Sequence, residues 1–184
     1  MGKKIMLLNA SPRRHGNSDK IAQAFTAGAQ QKGNEVTRFD AAFMDIGGCT
    51  ACDRCWSKGE ACVIEDDFKK LEPYYESSDV LLLVSPLYWG ALPAQVKGAI
   101  DRLYAYGGSG GPKPLAIREA AFILIGELET GHIEYKPAVE AFRLMCDYLG
   151  WDNRGVIVQG GLGKADDVLN TDALRRVEEF GREI

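Results

Sequence analysis

Along the chain, runs of apolar and β-branched residues alternate with stretches whose apolar residues recur at helical spacing. Five runs read as strands, at residues 4–9, 35–39, 79–85, 120–126 and 155–159. LLLV in the third and FILI in the fourth are continuously apolar, the pattern of strands buried on both faces. Between and after them, residues 18–31 (with IAQAF), 67–76, 93–106, 138–149 and 172–180 read as helices, the third opened by a proline in its first turn.

A βα alternation of five strands within 184 residues predicts a single α/β domain, residues 1–184, built as a three-layer doubly wound parallel sheet. The flavodoxin-like strand order 2-1-3-4-5 is the expected version. Two stretches fall outside the alternation. Residues 41–65 form a cysteine-rich insertion after strand two, and residues 107–114, GGSGGPKP, read as a mobile loop. The latter lacks the Gly-Lys-Ser/Thr ending of a nucleotide phosphate loop.

Composition narrows the partners. The chain is 46% hydrophobic and 26% charged, an ordinary globular balance. Twenty-two basic against 26 acidic residues give a net charge of -4, with no Lys/Arg stripe, so nucleic acid is not an expected partner. No run approaches the roughly 18 apolar residues of a membrane span. A cytoplasmic protein without membrane partners is therefore predicted. Of five cysteines, four fall within residues 49–62, which points to a metal or redox site and not to a disulfide scaffold.

In an open α/β sheet, ligands bind beyond the carboxyl ends of the strands. The loop after strand one, NASPRRHGNS, leads straight into a helix N-terminus, where free N–H groups and the dipole attract an anion. The hydroxyls of Ser11 and Ser18, the amide of Asn17 and the guanidinium of Arg13 complete a phosphate cradle. The plainer account has Asn17 or Ser18 capping the helix and the arginines solvated. After strand three, SPLYWGALP sets Tyr88 and Trp89 before a helix, suited to a flat heterocycle, although taken alone such a pair more often serves the core or a subunit contact.

Taken together, the SPRxxGNS loop, the SPLYWG loop and the QVKGAIDR helix resemble the NADPH-dependent FMN reductase family, over nearly the whole chain. The resemblance implies FMN, with Ser11, Arg13, Asn17 and Ser18 at its phosphate and Pro86, Leu87, Tyr88, Trp89 and Gly90 along the isoalloxazine. Gly126 is the one contact assigned in the third loop, residues 126–132. The implied activity is oxidation of NAD(P)H, docked transiently over the flavin, with a quinone or free flavin as acceptor. No protein group is assigned as catalytic acid or base, because the chemistry belongs to the flavin. A carrier of electrons between proteins such as ferredoxin is the alternative, and a flavin-free sensor or binding domain a third. His15 and His132 are read as solvated loop residues.

Cys49, Cys52, Cys55 and Cys62 follow a Cys-x2-Cys-x2-Cys-x6-Cys spacing, which lets three thiolates converge and a fourth arrive from downstream. Spacing and position resemble the iron-sulfur flavoprotein branch of the same family, implying a 4Fe-4S cluster on these four residues. Structural zinc, a thiol pair and free thiols remain alternatives; zinc favours two separated pairs. Cys146 reads as a buried small hydrophobe, Lys97 and Asp101 as a surface pair, and Arg102 as an interface residue. Asp66 and Asp67 are expected to begin the second helix. The apolar loop beside a shallow flavin site predicts a homodimer or homotetramer.

Overall fold

The computed structural model describes residues 2–107 and 111–184. Its strands are β1 (Lys4–Asn9), β2 (Glu35–Asp40), β3 (Val80–Pro86), β4 (Glu119–Ile125) and β5 (Asp152–Gln159). All neighbours pair in parallel, in the order β2-β1-β3-β4-β5. The doubly wound, flavodoxin-like sheet expected from the alternation is the one that forms.

Side chains alternate across this sheet as the strand period requires. From one face, Ile5, Leu7, Leu82, Val84 and Ile123 pack with Ile21, Phe25 and Val177. These last belong to α1 (Asn17–Gln31) and α6 (Ala173–Glu183). From the other face, Met6, Leu8, Leu83, Phe122 and Leu124 meet Val96, Ala99, Phe142 and Cys146. These lie on α4 (Ala94–Asp101) and α5 (Lys136–Leu149), and each fully buried large side chain contributes roughly 1.5–3 kcal/mol. Cys146 is 1% exposed, the core residue expected of it. Between α1 and α6 the backbones touch: a Cβ on Gly28 would lie 2.0 Å from the Glu178 carbonyl oxygen.

Three elements depart from expectation for visible reasons. The helix predicted at residues 67–76 is broken into a 3-10 turn, Asp67–Lys70, and a short α3, Glu72–Tyr75. Pro73 has no N–H to carry one helix across the junction. The helix at 93–106 tightens after Asp101 into the 3-10 turn Arg102–Tyr106. Strand β5 starts at Asp152, three residues earlier than Gly155, because the polar DNR stretch joins the sheet through a bulge. There Gly155 takes φ 133, a conformation that favours glycine. Of the loop read at 107–114, residues 108–110 lie outside the described residues.

Candidate functional site

Four loops at the carboxyl end of the sheet build the site. The first enters α1, whose N-cap Gly16 is extended and supplies no side-chain cap. The first-turn amides are thus left for a ligand to satisfy, at the positive end of the helix dipole. Within the loop, Arg13 N donates to Ser11 Oγ (3.2 Å) and Ser11 N to Asn9 Oδ1 (3.4 Å), which fixes the turn. The nearest acid of α1 is already engaged, since Arg38 Nη1 lies 2.6 Å from Asp19 Oδ1. Burial pushes the Asp19 carboxyl up, and the hydrogen bond and charge of Arg38 outweigh it, leaving Asp19 below its ordinary value. It stays ionised and neutralised by its partner, so it does not repel an anion from the cradle.

The second loop follows β3. Leu87 N donates to the Ile125 carbonyl (2.7 Å), and Tyr88 and Ala91 exchange backbone bonds at 3.0 and 2.9 Å. Between them Trp89 (φ 51) and Gly90 (φ 72) form a tight turn with both central residues left-handed, the geometry of a type I′ hairpin turn. Gly90 accepts that backbone freely. For a tryptophan it is strained, and strain of this kind concentrates at functional sites. The turn delivers the Trp89 indole wholly into solvent, at 103% relative exposure.

The third and fourth loops, after β4 and β5, zip together. Leu162 N donates to Gly126 O and Gly161 N to Leu128 O, both at 2.8 Å. A Cβ on Gly160 would lie 2.2 Å from the Leu128 carbonyl oxygen, and one on Gly126 would lie 2.6 Å from Tyr135 Oη. Tyr135 Oη in turn donates to Leu128 O (2.8 Å), propping the third loop from below.

The result is a cleft of about 150 Å³ lined by Ser11, Arg13, Asn17, Ser18, Pro86, Leu87, Tyr88 and Gly126, with Ile125, Glu127, Leu162 and Gly163. It opens into a recess of about 450 Å³ that adds Trp89, Leu128 and Glu134. The two share Leu87, Tyr88, Gly126 and Glu127, so they form one groove from the α1 N-terminus to the Trp89 turn. Of the ten residues expected at the flavin, Gly90 alone lies off this lining; it shapes the turn instead. Asn17 lines the cleft, but its side chain is committed elsewhere: Nδ2 donates to Lys164 O (2.8 Å), and Oδ1 accepts from Val168 N (3.3 Å). Sequence reasoning missed the loop after β5. Its signal was QGGLG at the end of the last strand, a glycine cluster where two loops approach closely.

Both histidines sit in exposed loops. His132 Nδ1 accepts from Glu134 N (3.3 Å), and the side chain of His15 is 92% exposed.

The cysteine segment is built differently. Beyond the 3-10 turn Ala41–Phe43 it holds one regular element, α2 (Arg54–Lys58), flanked by Ala51 and Asp53 at φ 50 and 52. Cys49 and Cys52 are exposed, Cys55 is buried and Cys62 half-buried. The Arg54 amide and side chain lower the Cys52 thiol, while burial raises that of Cys55. Among the described residues, no three histidines, cysteines or carboxylates gather as a metal-ligand group. Four thiols are a suitable donor set for a cluster, and Cys52 and Cys62 both lie close enough to Cys55 to raise its thiol electrostatically.

Arg102 corrects the expectation of an interface residue. It is 2% exposed, paired with Asp66 at 2.6 Å across the packed interior. Apolar helix periodicity does not reveal a buried arginine whose partner lies 36 residues away. Asp66 does begin the following turn, its Oδ1 accepting from Phe68 N at 3.0 Å. Lys97 and Asp101 form the surface pair expected of them.

With this geometry in view, the profile of the NADPH-dependent FMN reductase family matches residues 3–150. The chain belongs to that family. An iron-sulfur flavoprotein of Archaeoglobus fulgidus is 39% identical over 104 residues, 56% of this chain and 47% of that protein. An iron-sulfur flavoprotein of Methanosarcina thermophila is 31% identical over 54% of this chain and 51% of its own length. The chain thus spans about half the length of these curated relatives. Among solved structures, an NAD(P)H:quinone oxidoreductase from Methanothermobacter marburgensis superposes with a TM-score of 0.79 at 23% identity, covering 100% of this chain and 96% of that one. An FMN-dependent NADH-azoreductase from Bacillus anthracis, solved with FMN, gives 0.71 at 17% identity, with 98% of each chain covered. Likenesses at these identities speak for the fold.

Proposed function

We propose that this protein is an FMN-dependent oxidoreductase that passes electrons from NAD(P)H to a small acceptor, a quinone or a flavin. The observation that carries this reading is the groove itself: an uncapped helix N-terminus with Arg13 at one end, and a strained, outward Trp89 beside Tyr88 and Leu87 at the other. When bound, FMN supplies the hydride chemistry. Ser11, Arg13, Ser18 and the α1 amides hold its phosphate, and Asn17 contributes its backbone while its side chain ties down residues 164–168. Pro86 to Trp89, with Gly126, border the ring, and the open recess over Trp89 leaves room for a nicotinamide. No side chain is required to move a proton.

Spacing and the similarity to iron-sulfur flavoproteins support a 4Fe-4S cluster on Cys49, Cys52, Cys55 and Cys62. Exposed Trp89 and Ile133 beside the groove favour a homodimer or homotetramer. A cytoplasmic setting is part of this reading, and among the described residues no helix is long and apolar enough to cross a membrane. The test is an anaerobic preparation carrying flavin absorbance, with iron and sulfide analysis, followed by NAD(P)H oxidation with a quinone. Turnover supports the enzyme. Reduction by ferredoxin alone supports a carrier, and failure to take up FMN overturns the reading.

A further inference from the structure

Contacts from both stems of the cysteine segment converge on one short element, the 3-10 turn Arg102–Tyr106 that continues α4. Arg102 Nη1 donates to both oxygens of Asp66, at 2.8 and 2.6 Å, and reaches Gly47 O at 3.5 Å. Its Nη2 donates to Ile64 O at 3.2 Å, and its Cζ lies 4.2 Å from the centre of the Phe68 ring. Gly47 stands two residues before Cys49 and Ile64 two residues after Cys62, so one buried cation grips the segment at both ends. Asp66 closes the grip, its Oδ2 accepting from Gly47 N at 3.0 Å. One turn earlier, Gly98 admits the stem against α4: a Cβ there would lie 3.0 Å from both the Ile46 and Gly47 carbonyl oxygens. Two residues further on, Tyr104 Oη donates to Asp53 Oδ1 (3.0 Å), and its ring lies 5.7 Å from that of Trp56. Asp53 sits between Cys52 and Cys55.

We propose that Arg102 and Tyr104 are the positioning residues of the cysteine segment. Through them, the placement of Cys49, Cys52 and Cys55 is set from α4, the helix that follows the aromatic loop, while Cys62 is also tied directly, its N–H donating to Glu72 Oε1 (3.0 Å) and its carbonyl accepting from Lys69 Nζ. The segment alone offers a five-residue helix and two left-handed non-glycine residues, a conformation that persists only where the surroundings over-determine it. Arginine suits the task because its planar fork serves a carboxylate and two carbonyls at once, which a compact ammonium does not. The inference rests on this geometry and requires neither flavin nor cluster, so its outcome leaves the proposed activity to its own assay.

The experiment is alkylation of each cysteine by iodoacetamide, resolved by mass spectrometry on the full chain carrying its flavin, after any iron has been removed with a chelator so that all four thiols are free. Arg102→Met is expected to raise the rates at Cys55 and Cys62 about tenfold or more, because losing a buried charged anchor favours local opening by at least that factor. The FMN dissociation constant should stay within about twofold, and Cys146, enclosed between α5 and the sheet, should remain at least about tenfold slower than Cys55 and Cys62, as a site reached only by global unfolding does. Arg102→Lys should fall between wild type and Arg102→Met. Tyr104→Phe, which removes one hydroxyl, should raise Cys52 and Cys55 about two- to threefold and leave Cys62 unchanged. Should Arg102→Met not fold, Arg102→Met combined with Asp66→Leu removes both charges and carries the same expectation. Unchanged rates at Cys55 and Cys62 in a folded variant, or Cys146 reacting as fast as they do, would overturn the proposal.

Discussion

The flavin-side groove and the cysteine segment lie on the same half of one sheet fold and are held in opposite ways. The groove is fixed by backbone: parallel strands end in register, the β4 and β5 loops exchange amide-to-carbonyl bonds, and glycines at 126 and 160 let chains approach where a Cβ would collide. The segment at 44–65 is fixed by side chains reaching in from elsewhere, Arg102 and Asp66 at its stems and Tyr104 at its middle. Backbone-built sites are robust to the loss of a single side chain. A side-chain-built segment has single points of failure.

That contrast can be broken first at Arg102. Arg102→Met leaves the half-buried Asp66 without its cation, and as removing one member of a fully buried pair costs roughly 3–5 kcal/mol, the loss here should reach at most that, read as a lower urea midpoint. An unchanged midpoint would place the two regions on equal terms. Next, Arg13→Ala should weaken FMN binding by about 1.5–3 kcal/mol, the worth of a charge-assisted bond, while thiol reactivity stays as in wild type. A fluorescence titration checks this, and unaltered affinity would remove the phosphate from that loop. Tyr104→Phe deletes one solvent-exposed hydrogen bond and should lower the urea midpoint only slightly, with flavin affinity untouched.

Acid sharpens the comparison with the smallest effect. Burial alone would raise the Asp66 carboxyl, and the Arg102 hydrogen bond with the Gly47 and Phe68 amides overrides it, holding it below its ordinary value. A carboxyl lowered by folding contributes stability above its unfolded pKa of about 3.9, and that contribution disappears as pH falls through the lower folded value. Urea midpoints measured from pH 6 downward should therefore fall more steeply in wild type than in Arg102→Met once pH is below about 4. Parallel curves would mean that the pair contributes nothing through Asp66 ionisation.

The same contrast explains what could be read from the chain in advance. Strand runs and the SPRRHGNS and SPLYWG loops are local patterns whose positions in space follow from a parallel sheet, so Ser11, Arg13, Ser18 and Pro86 to Trp89 could be assigned to one groove before any coordinates. Gly163 and Leu162 escaped because their membership depends on β5 lying beside β4, a tertiary fact carried by no local motif. Asn17 was legible as part of that lining, but its side-chain partners at 164–168 were not, being about 150 residues distant, a separation local patterns do not span. Arg102 was misread for the same reason, since a charge on a short helix is ordinarily solvated and only its burial beside Asp66 says otherwise.

Trp89, standing fully in water on its left-handed turn, differs from Trp151, which is 5% exposed. Its indole emission, with that of the exposed Trp56, will accordingly sit on the long-wavelength side of the protein's fluorescence, away from that of the enclosed Trp151. Whatever settles on that lip will blue-shift or quench the Trp89 share of it. The chain thus carries its own optical gauge of docking, readable without dye or label.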